Sequence, residues 1–303
     1  SGDGLGGTDI VPVNTTYTWT FVDNVSVSGE STSTSSGEAF FSQTLVNNDS
    51  SPQAVDYQVT PISDLGCIGQ PFIVTIIVDP VPFVLNKTDE ICSGTSFEID
   101  PLDNLPTEIV ASGTTYTWTT IGNPNLTGWS DESVGQTTIM QALTNTTNIA
   151  ESITYVVTPQ SGSCSGATFE VVVNVLPVPE ISSITPIAQV LCSGEDSVEV
   201  TFDATVTGST FEYTLTNTSI PAEVTGYEAH LNGVGTLPAL TLTNGLTTAY
   251  ELVYEIAPTA NGCAGNPVQF TITINPSPQV NFDQLDQNLC NETVSVPVTL
   301  SSP

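Results

Sequence analysis

The sequence predicts an all-β fold, a tandem array of β-sandwiches, and three observations carry that expectation. Blocks of sequence recur along the chain with a long period. Short segments alternate apolar and polar residues two by two. The composition favours strands and turns: 23 Gly and 21 Pro stand against one Met and a single basic residue, Lys87, in 303 residues. With 39% hydrophobic residues the chain has enough apolar material for packed cores and is not a disordered tail.

The repeat is the strongest of the three. Residues 15–19 (TTYTW), 114–118 (TTYTW) and 209–213 (STFEY) match. So do 56–61 (DYQVTP), 154–159 (TYVVTP) and 253–258 (VYEIAP). Three tails follow: GCIGQPFIVTIIVDPVP from Gly66, SCSGATFEVVVNVLPVP from Ser163 and GCAGNPVQFTITINPSP from Gly262. Three openings begin at Cys92 (CSGTSFEI), Cys192 (CSGEDSVEV) and Cys290 (CNETVSVPV). Tyr57, Tyr155 and Tyr254 stand 98 and 99 residues apart, so the period is close to one hundred residues.

Each repeat reads as about seven short strands. In the last of them Phe72, Val74, Ile76 and Val78 share one face, as do Phe169, Val171, Val173 and Val175. Tyr155 and Val157 share a face in the strand before it. Trp19 and Trp118 fall in a mid-repeat strand, where an Ig-type sandwich places its core Trp, and Tyr213 takes that place in the third repeat. These aromatics are expected in cores rather than stacked on ligands.

The domains are set at 1–79 (repeat 1, its first strand missing), 80–176 (repeat 2), 177–276 (repeat 3) and 277–303 (the start of a fourth). Pro-x-Pro joins them at 80–82, 177–179 and 276–278. A strand running into a prolyl linker has few backbone states, so an extended, stiff rod is expected. Ser1-Gly2 matches the residues that follow an opening Cys, and 289–303 starts a repeat without finishing it. The expectation is a fragment of a longer array, or an orphan strand that completes another chain.

The series C-S-G-x-x-F, G-T-T-Y-T-W, L-x-N, Y-x-V-T-P and C-x-G-x-x-F ending in V-x-P-x-P resembles the PKD-like (Ig-like) repeats of very large Bacteroidota surface proteins. It is similar to the adhesins carried by type IX secretion and gliding machinery, the SprB-like proteins. The resemblance covers the whole chain. It implies export, attachment at the cell surface and adhesion, which composition does not show.

Charge excludes several partners. There are 32 acidic residues and a net charge of −31. Nothing is present to neutralise phosphates, so nucleic acid is excluded. An anionic bilayer surface repels the chain, and no apolar run suits membrane insertion. Like charge keeps neighbouring copies apart and soluble. A chain with one Lys and no Arg also offers almost no site to trypsin.

The six cysteines, Cys67, Cys92, Cys164, Cys192, Cys263 and Cys290, form no CxxC pair, which argues against zinc and fits an oxidising compartment. Connectivity stays open at this stage. In an Ig-type sandwich the opening Cys and the late Cys lie at opposite ends, roughly 20 Å apart, whereas a disulfide needs Cα atoms about 4.4–6.8 Å apart. A head-to-tail array favours an interdomain bond, Cys92–Cys263. The alternatives are intradomain bonds, Cys92–Cys164 and Cys192–Cys263, or free thiols.

Catalysis has little to work with. His230 is the single His, expected on a surface loop, so no nucleophile–His pair recurs. One Lys cannot supply an isopeptide cross-link to every domain. The acid pairs Asp100/Asp103 and Asp131/Glu132 do not recur and read as solvated faces rather than a glycosidase pair. No cofactor is expected. Calcium is the ion that suits the oxygen ligands near the joints: Asp79, Asp89, Glu90, Asp100, Asp103, Glu195 and Asp196, although no DxDxDG loop is present. Asn-x-Ser/Thr sequons occur at Asn14, Asn24, Asn48, Asn86, Asn125, Asn145, Asn217 and Asn291. Asp196-Ser197-Val198 resembles the Asp-Ser/Thr-apolar O-glycan acceptor of Bacteroidota, which makes Ser197 the candidate acceptor.

The expected function is a non-enzymatic stalk segment of a giant, extracellular, cell-surface adhesin or filament. Its partners are the neighbouring repeats of the same polypeptide. Two alternatives stand beside it. One is a module whose loops, with Trp129 as a candidate, bind extracellular glycans or surfaces. The other is the spacer of a secreted hydrolase.

Overall fold

The computed structural model describes residues 10–232, 235–279, 281–282, 288–295, 297 and 300–301. Ser1 and Gly2, read above as the remnant of an opening turn, lie outside them. Among the described residues there are 27 strands and no helix. The chain divides into two compact units: Ser1–Thr146 with Glu151–Val175, and Thr147–Ala150 with Leu176–Pro303. The first unit holds repeats 1 and 2; the second holds repeat 3 and the opening of the fourth.

Repeat 2 is a sandwich of two sheets. The larger runs in the order Glu132–Gln136, Thr115–Ile121, Glu151–Ser161, Phe169–Leu176, Lys87–Cys92, with Cys164–Ser165 also paired to Glu151–Ser161. The smaller runs Thr95–Ile99, Ile139–Asn145, Leu126–Thr127. That is nine strands rather than about seven, because the long strands are flanked by two-residue pairings too short to read in sequence. The inner faces are made by alternation. Ile153, Tyr155 and Val157 on one central strand, and Phe169, Val171, Val173 and Val175 on its neighbour, are all buried. Phe97 from the smaller sheet packs its ring 5.1 Å from that of Tyr155 and closes the layer. Burying each such side chain stabilises by about 1.5–3 kcal/mol.

Repeat 3 follows the same plan. Its larger sheet runs Ala188–Cys192, Val268–Asn275, Tyr250–Ala260, Thr210–Leu215, His230–Asn232. The edge strand Ala188–Cys192 lies parallel to Val268–Asn275, with Leu191 opposite Ile274 and Cys192 opposite Asn275. Ile181–Thr185 belongs to the other sheet, paired with Val200–Ala204. The chain therefore crosses from one layer to the other before its opening turn. His230 sits on a short strand paired to Thr210–Leu215 rather than in a loop.

Repeat 1 has the central strands, Thr16–Phe21, Gln53–Ile62 and Phe72–Val78, and a small pair, Val27–Ser28 with Val46–Asn47. Among the described residues its last strand ends the sheet. Trp19, Trp118 and Tyr213 are buried in their three cores as expected. The two indoles are held alike: Trp19 Nε1 donates to the Ser31 carbonyl at 2.9 Å and Trp118 Nε1 to the Ser130 carbonyl at 3.0 Å.

Candidate functional site: the entry and exit ends of each repeat

The repeated polar residues gather at the two ends of the sandwich. The exit end is organised by the Asn of L-x-N. Asn47 Nδ2 donates to the Val78 carbonyl at 2.8 Å, Asn145 Nδ2 to Val175 at 2.9 Å and Asn244 Nδ2 to Ile274 at 2.7 Å. All three asparagines are buried. Each ties the loop after the L-x-N segment to the carbonyl that ends the last strand, just before the prolyl linker. A buried carbonyl needs such a partner where the ladder stops.

The opening turn docks on the same place. Ser93 Oγ accepts from the Asn145 amide at 2.9 Å, and Ser193 Oγ from the Asn244 amide at 2.8 Å. Gly94 and Gly194 donate to the Leu143 and Leu242 carbonyls, both at 2.8 Å. Both glycines have positive φ, 86° and 91°, which a side chain disfavours. C-S-G is thus a turn that seats the opening strand beside the exit of its own repeat.

The entry end is organised by the late C-x-G. Gly166 and Gly265 donate to the Pro159 and Pro258 carbonyls at 2.9 and 2.8 Å. The incoming linker passes directly over them. A Cβ at Gly166 would overlap the Pro82 carbonyl oxygen, and one at Gly265 the Pro179 carbonyl oxygen. Glycine is required there by close approach rather than by turn geometry. Beyond the linker, Phe83 and Ile109 exchange backbone hydrogen bonds at 2.9 Å.

The chain's single Lys is part of this entry. Lys87 Nζ lies 2.7 Å from Glu108 Oε1, which also accepts from the Leu85 amide at 2.9 Å. Burial pushes the Glu108 carboxyl up, but the Lys87 hydrogen bond, the Leu85 amide and the Lys87 charge outweigh it and hold the group below its ordinary range. Lys87 was readable only as a missing reactant; its partner, 21 residues on, had no signal in the sequence.

The cysteines follow the same division. Cys192 stands opposite Asn275 at the exit end of repeat 3. Cys263, paired with Ala260, precedes Val268–Asn275 at the entry end. An intradomain Cys192–Cys263 bond would have to span that strand, roughly 23 Å. Cys67, Cys164, Cys192 and Cys290 carry free thiols, which removes both intradomain alternatives, Cys92–Cys164 and Cys192–Cys263. Cys92 and Cys263 are each disulfide-bonded.

The remaining candidates are used structurally or dispersed. Among the described residues no three His, Cys, Asp or Glu side chains form a group fit for a metal ion. Of the calcium candidates, Asp89 accepts from the Glu90 amide, Asp103 from Val110, Glu195 from Cys192 and Asp196 from the Thr241 hydroxyl. Asp79 follows the strand Phe72–Val78 and Asp100 follows Thr95–Ile99. Asp131 caps Thr120 through its amide and hydroxyl, both at 2.8 Å, so it is not a merely solvated acid. Ser197 is corrected as an O-glycan acceptor: it is only 3% exposed and its hydroxyl accepts from the Leu240 amide at 2.8 Å. The sequon Asn145 is likewise occupied by its clamp. Trp129 donates from Nε1 to the Leu126 carbonyl, and its ring covers Gly122 so closely that no Cβ fits there. Packing, rather than a free aromatic platform, holds it. His230 is exposed, 3.6 Å from Glu212 Oε1.

These geometries recur because the domain recurs. The PKD-like domain model matches at residues 7–82, 89–179 and 189–278. The chain belongs to the PKD-like domain family. The three PKD-like matches cover most of the sequence and place one clamp, one late C-x-G and one core Tyr in each. Solved structures similar to this PKD-like array are tandem domains too. One holds protocadherin gamma B2 extracellular cadherin domains 1–5, at 12% identity and TM-score 0.33, covering 91% of this chain and 58% of that one. Another is Drosophila OTK extracellular domains 3–5, at 12% identity and TM-score 0.32, covering 74% and 71%. A third is the I67–I69 fragment of titin, at 10% identity and TM-score 0.33, covering 88% of each. The chain spans less than two thirds of the protocadherin. No curated protein matches the chain.

Proposed function

We propose that the chain is a non-enzymatic stalk segment of a large, extracellular cell-surface protein, holding adhesive parts away from the cell. One observation carries this reading. The polar residues that recur from repeat to repeat, the clamp Asn, the opening Ser-Gly and the late Gly, all hold the fold together. None of them is left facing a cleft with a partner for chemistry. A domain whose repeated residues all serve its own ends is suited to repetition. The resemblance to Bacteroidota surface adhesins, type IX secretion and gliding motility included, belongs to the same proposal. So does the extracellular location, which the disulfide state of Cys92 and Cys263 supports.

The stalk is stapled between repeats by a Cys92–Cys263 bond, and the free state of the other four thiols supports that pairing. Such a bond resists shear at a joint, where a bond inside a domain does not.

Images of the protein on its native cell test the stalk. Thin rods with a joint at each repeat are the expected result; a compact particle, or hydrolysis of polysaccharide by the intact protein, overturns it. Binding of the isolated chain on a glycan array would move the reading to an adhesive module. Cation removal separates out calcium: unchanged melting in chelator sinks a structural calcium role.

A further inference from the structure

We infer that acidic and carboxamide side chains on the outer strands close the sheet edges of repeats 2 and 3 against a second copy of the chain. The inference concerns self-association and stands apart from the stalk reading.

A strand at the rim of a sheet presents unpaired amides and carbonyls, and another chain can add to it. The hazard grows in a chain that repeats one domain, because like edges meet in like register. The larger sheets of repeats 2 and 3 have such rims. Among the described residues, Glu132–Gln136 and Lys87–Cys92 end the sheet of repeat 2, and Ala188–Cys192 and His230–Asn232 end that of repeat 3.

The rim Glu132–Gln136 shows how its backbone is occupied. Glu132 stands opposite Trp118 and Gln136 opposite Tyr116, so five residues of the rim span three of its neighbour and the middle bulges out. Val134, at the centre of the bulge, is 67% exposed. Both of its backbone groups are nevertheless bonded. Glu132 Oε1 accepts from the Val134 amide at 2.8 Å, and Gln136 Nε2 donates to the Val134 carbonyl at 3.2 Å. The flanking side chains thus hold the two groups that an added strand would bond. On the opposite rim Asp89 Oδ1 accepts from the Glu90 amide at 2.9 Å.

Repeat 3 uses the same device across a gap. Gln189, on the rim strand Ala188–Cys192, is buried, and its carboxamide exchanges two bonds of 2.8 Å with the Val198 amide and carbonyl. Two residues paired in an antiparallel ladder bond in the same reciprocal way. At the end of that strand Glu195 Oε2 accepts from the Cys192 amide at 2.8 Å. Val190 and Val198 are exposed beside these bonds, an apolar flank that favours an added strand. Asp89 and Glu195, which crowd the joints in sequence, therefore cap backbone amides at sheet rims. A carboxylate suits the task twice over: its bond to an amide is charge-assisted, and its charge repels a like edge.

The test compares two variants of the chain that lose the same two charges. D89A/E132A/Q136A removes the caps on both rims of repeat 2. D89N/E132Q keeps an acceptor at each capped amide. Free thiols are first blocked with iodoacetamide, so that strand pairing alone joins copies. Sedimentation in about 1 M salt, where charge is screened within about 3 Å, reads association. The alanine variant should form dimers and larger species, while wild type and the Asn/Gln variant stay monomeric. Hydrogen exchange reads the place. In the dilute alanine variant the Val134 amide should exchange about fivefold faster than in wild type, for the loss of one hydrogen bond. At high concentration residues 87–92 or 132–136 should gain protection. An alanine variant that stays monomeric overturns the inference. Equal association of the Asn/Gln variant also overturns it, since charge and not capping then protects the rims, and so does association that leaves both rims unprotected. Glu132→Ala alone opens the Val134 amide and carries the same readings if the triple variant fails to fold.

Discussion

Lys87 carries the chain's only side-chain cation, and its worth lies in one contact. Glu108 is buried and accepts both the ammonium and the Leu85 amide. Lys87→Met leaves that carboxylate without its counter-ion and should cost about 1–3 kcal/mol, read by urea unfolding at neutral pH. A carboxyl held below its ordinary range stabilises the fold above the unfolded pKa, and that stability is lost as pH falls through the lower, folded value. The gap between wild type and Lys87→Met should therefore close in acid. Tyrosines act at the other extreme. Burial first, then the charges of Asp100 and Glu108, push Tyr116 to about 12, and burial raises Tyr155 further. The folded state then holds protons that the unfolded state releases, so stability falls as pH rises past the ordinary tyrosine value of about 10. A titration of tyrosinate absorbance should show these rings ionising together with unfolding.

At the scale of elements, the two ends of the sandwich do different work. The exit is pinned by a buried side-chain amide. Asn244→Ala should cost about 1–3 kcal/mol, because the Ile274 carbonyl loses its donor inside the protein. Hydrogen exchange should show the end of Val268–Asn275 opening first in that variant. The entry is a close contact between backbones. Gly166→Ala drives a methyl group into the Pro82 carbonyl, and strain of about 1–3 kcal/mol is expected. Gly94→Ala tests a different cause, since its Cβ meets nothing and only its φ of 86° resists. Thermal melting of the two variants separates overlap from backbone strain.

For the molecule as a whole, scarcity of cations sets how it meets proteases and its own copies. Trypsin has one possible cut, after Lys87, and that residue lies in a paired strand with its ammonium engaged. The folded chain should resist trypsin and the unfolded chain should give fragments 1–87 and 88–303, read by intact mass. A rapid native cut would mean that Lys87–Cys92 detaches easily from its sheet. A charge of −31 keeps identical repeats from clustering through their exposed apolar residues.

The sequence by itself determined the repeat, the all-β class and the core faces, because period-two alternation and a hundred-residue self-match are local or self-referential signals. Phe169, Val171, Val173 and Val175 were legible for that reason, as were Tyr57, Tyr155 and Tyr254. Tertiary structure decided what the polar residues do. Asn145 read as a sequon and Ser197 as a glycan acceptor; each is buried by a partner that approaches from 30 or more residues away. Lys87 and Glu108 meet for the same reason, and the calcium candidates fail to meet although they crowd the joints in sequence. Side-chain chemistry depends on which strands the sheet order brings side by side, and spacing along the chain does not encode that order. The array was written in the sequence; the clamps at its two ends exist only once the strands have paired.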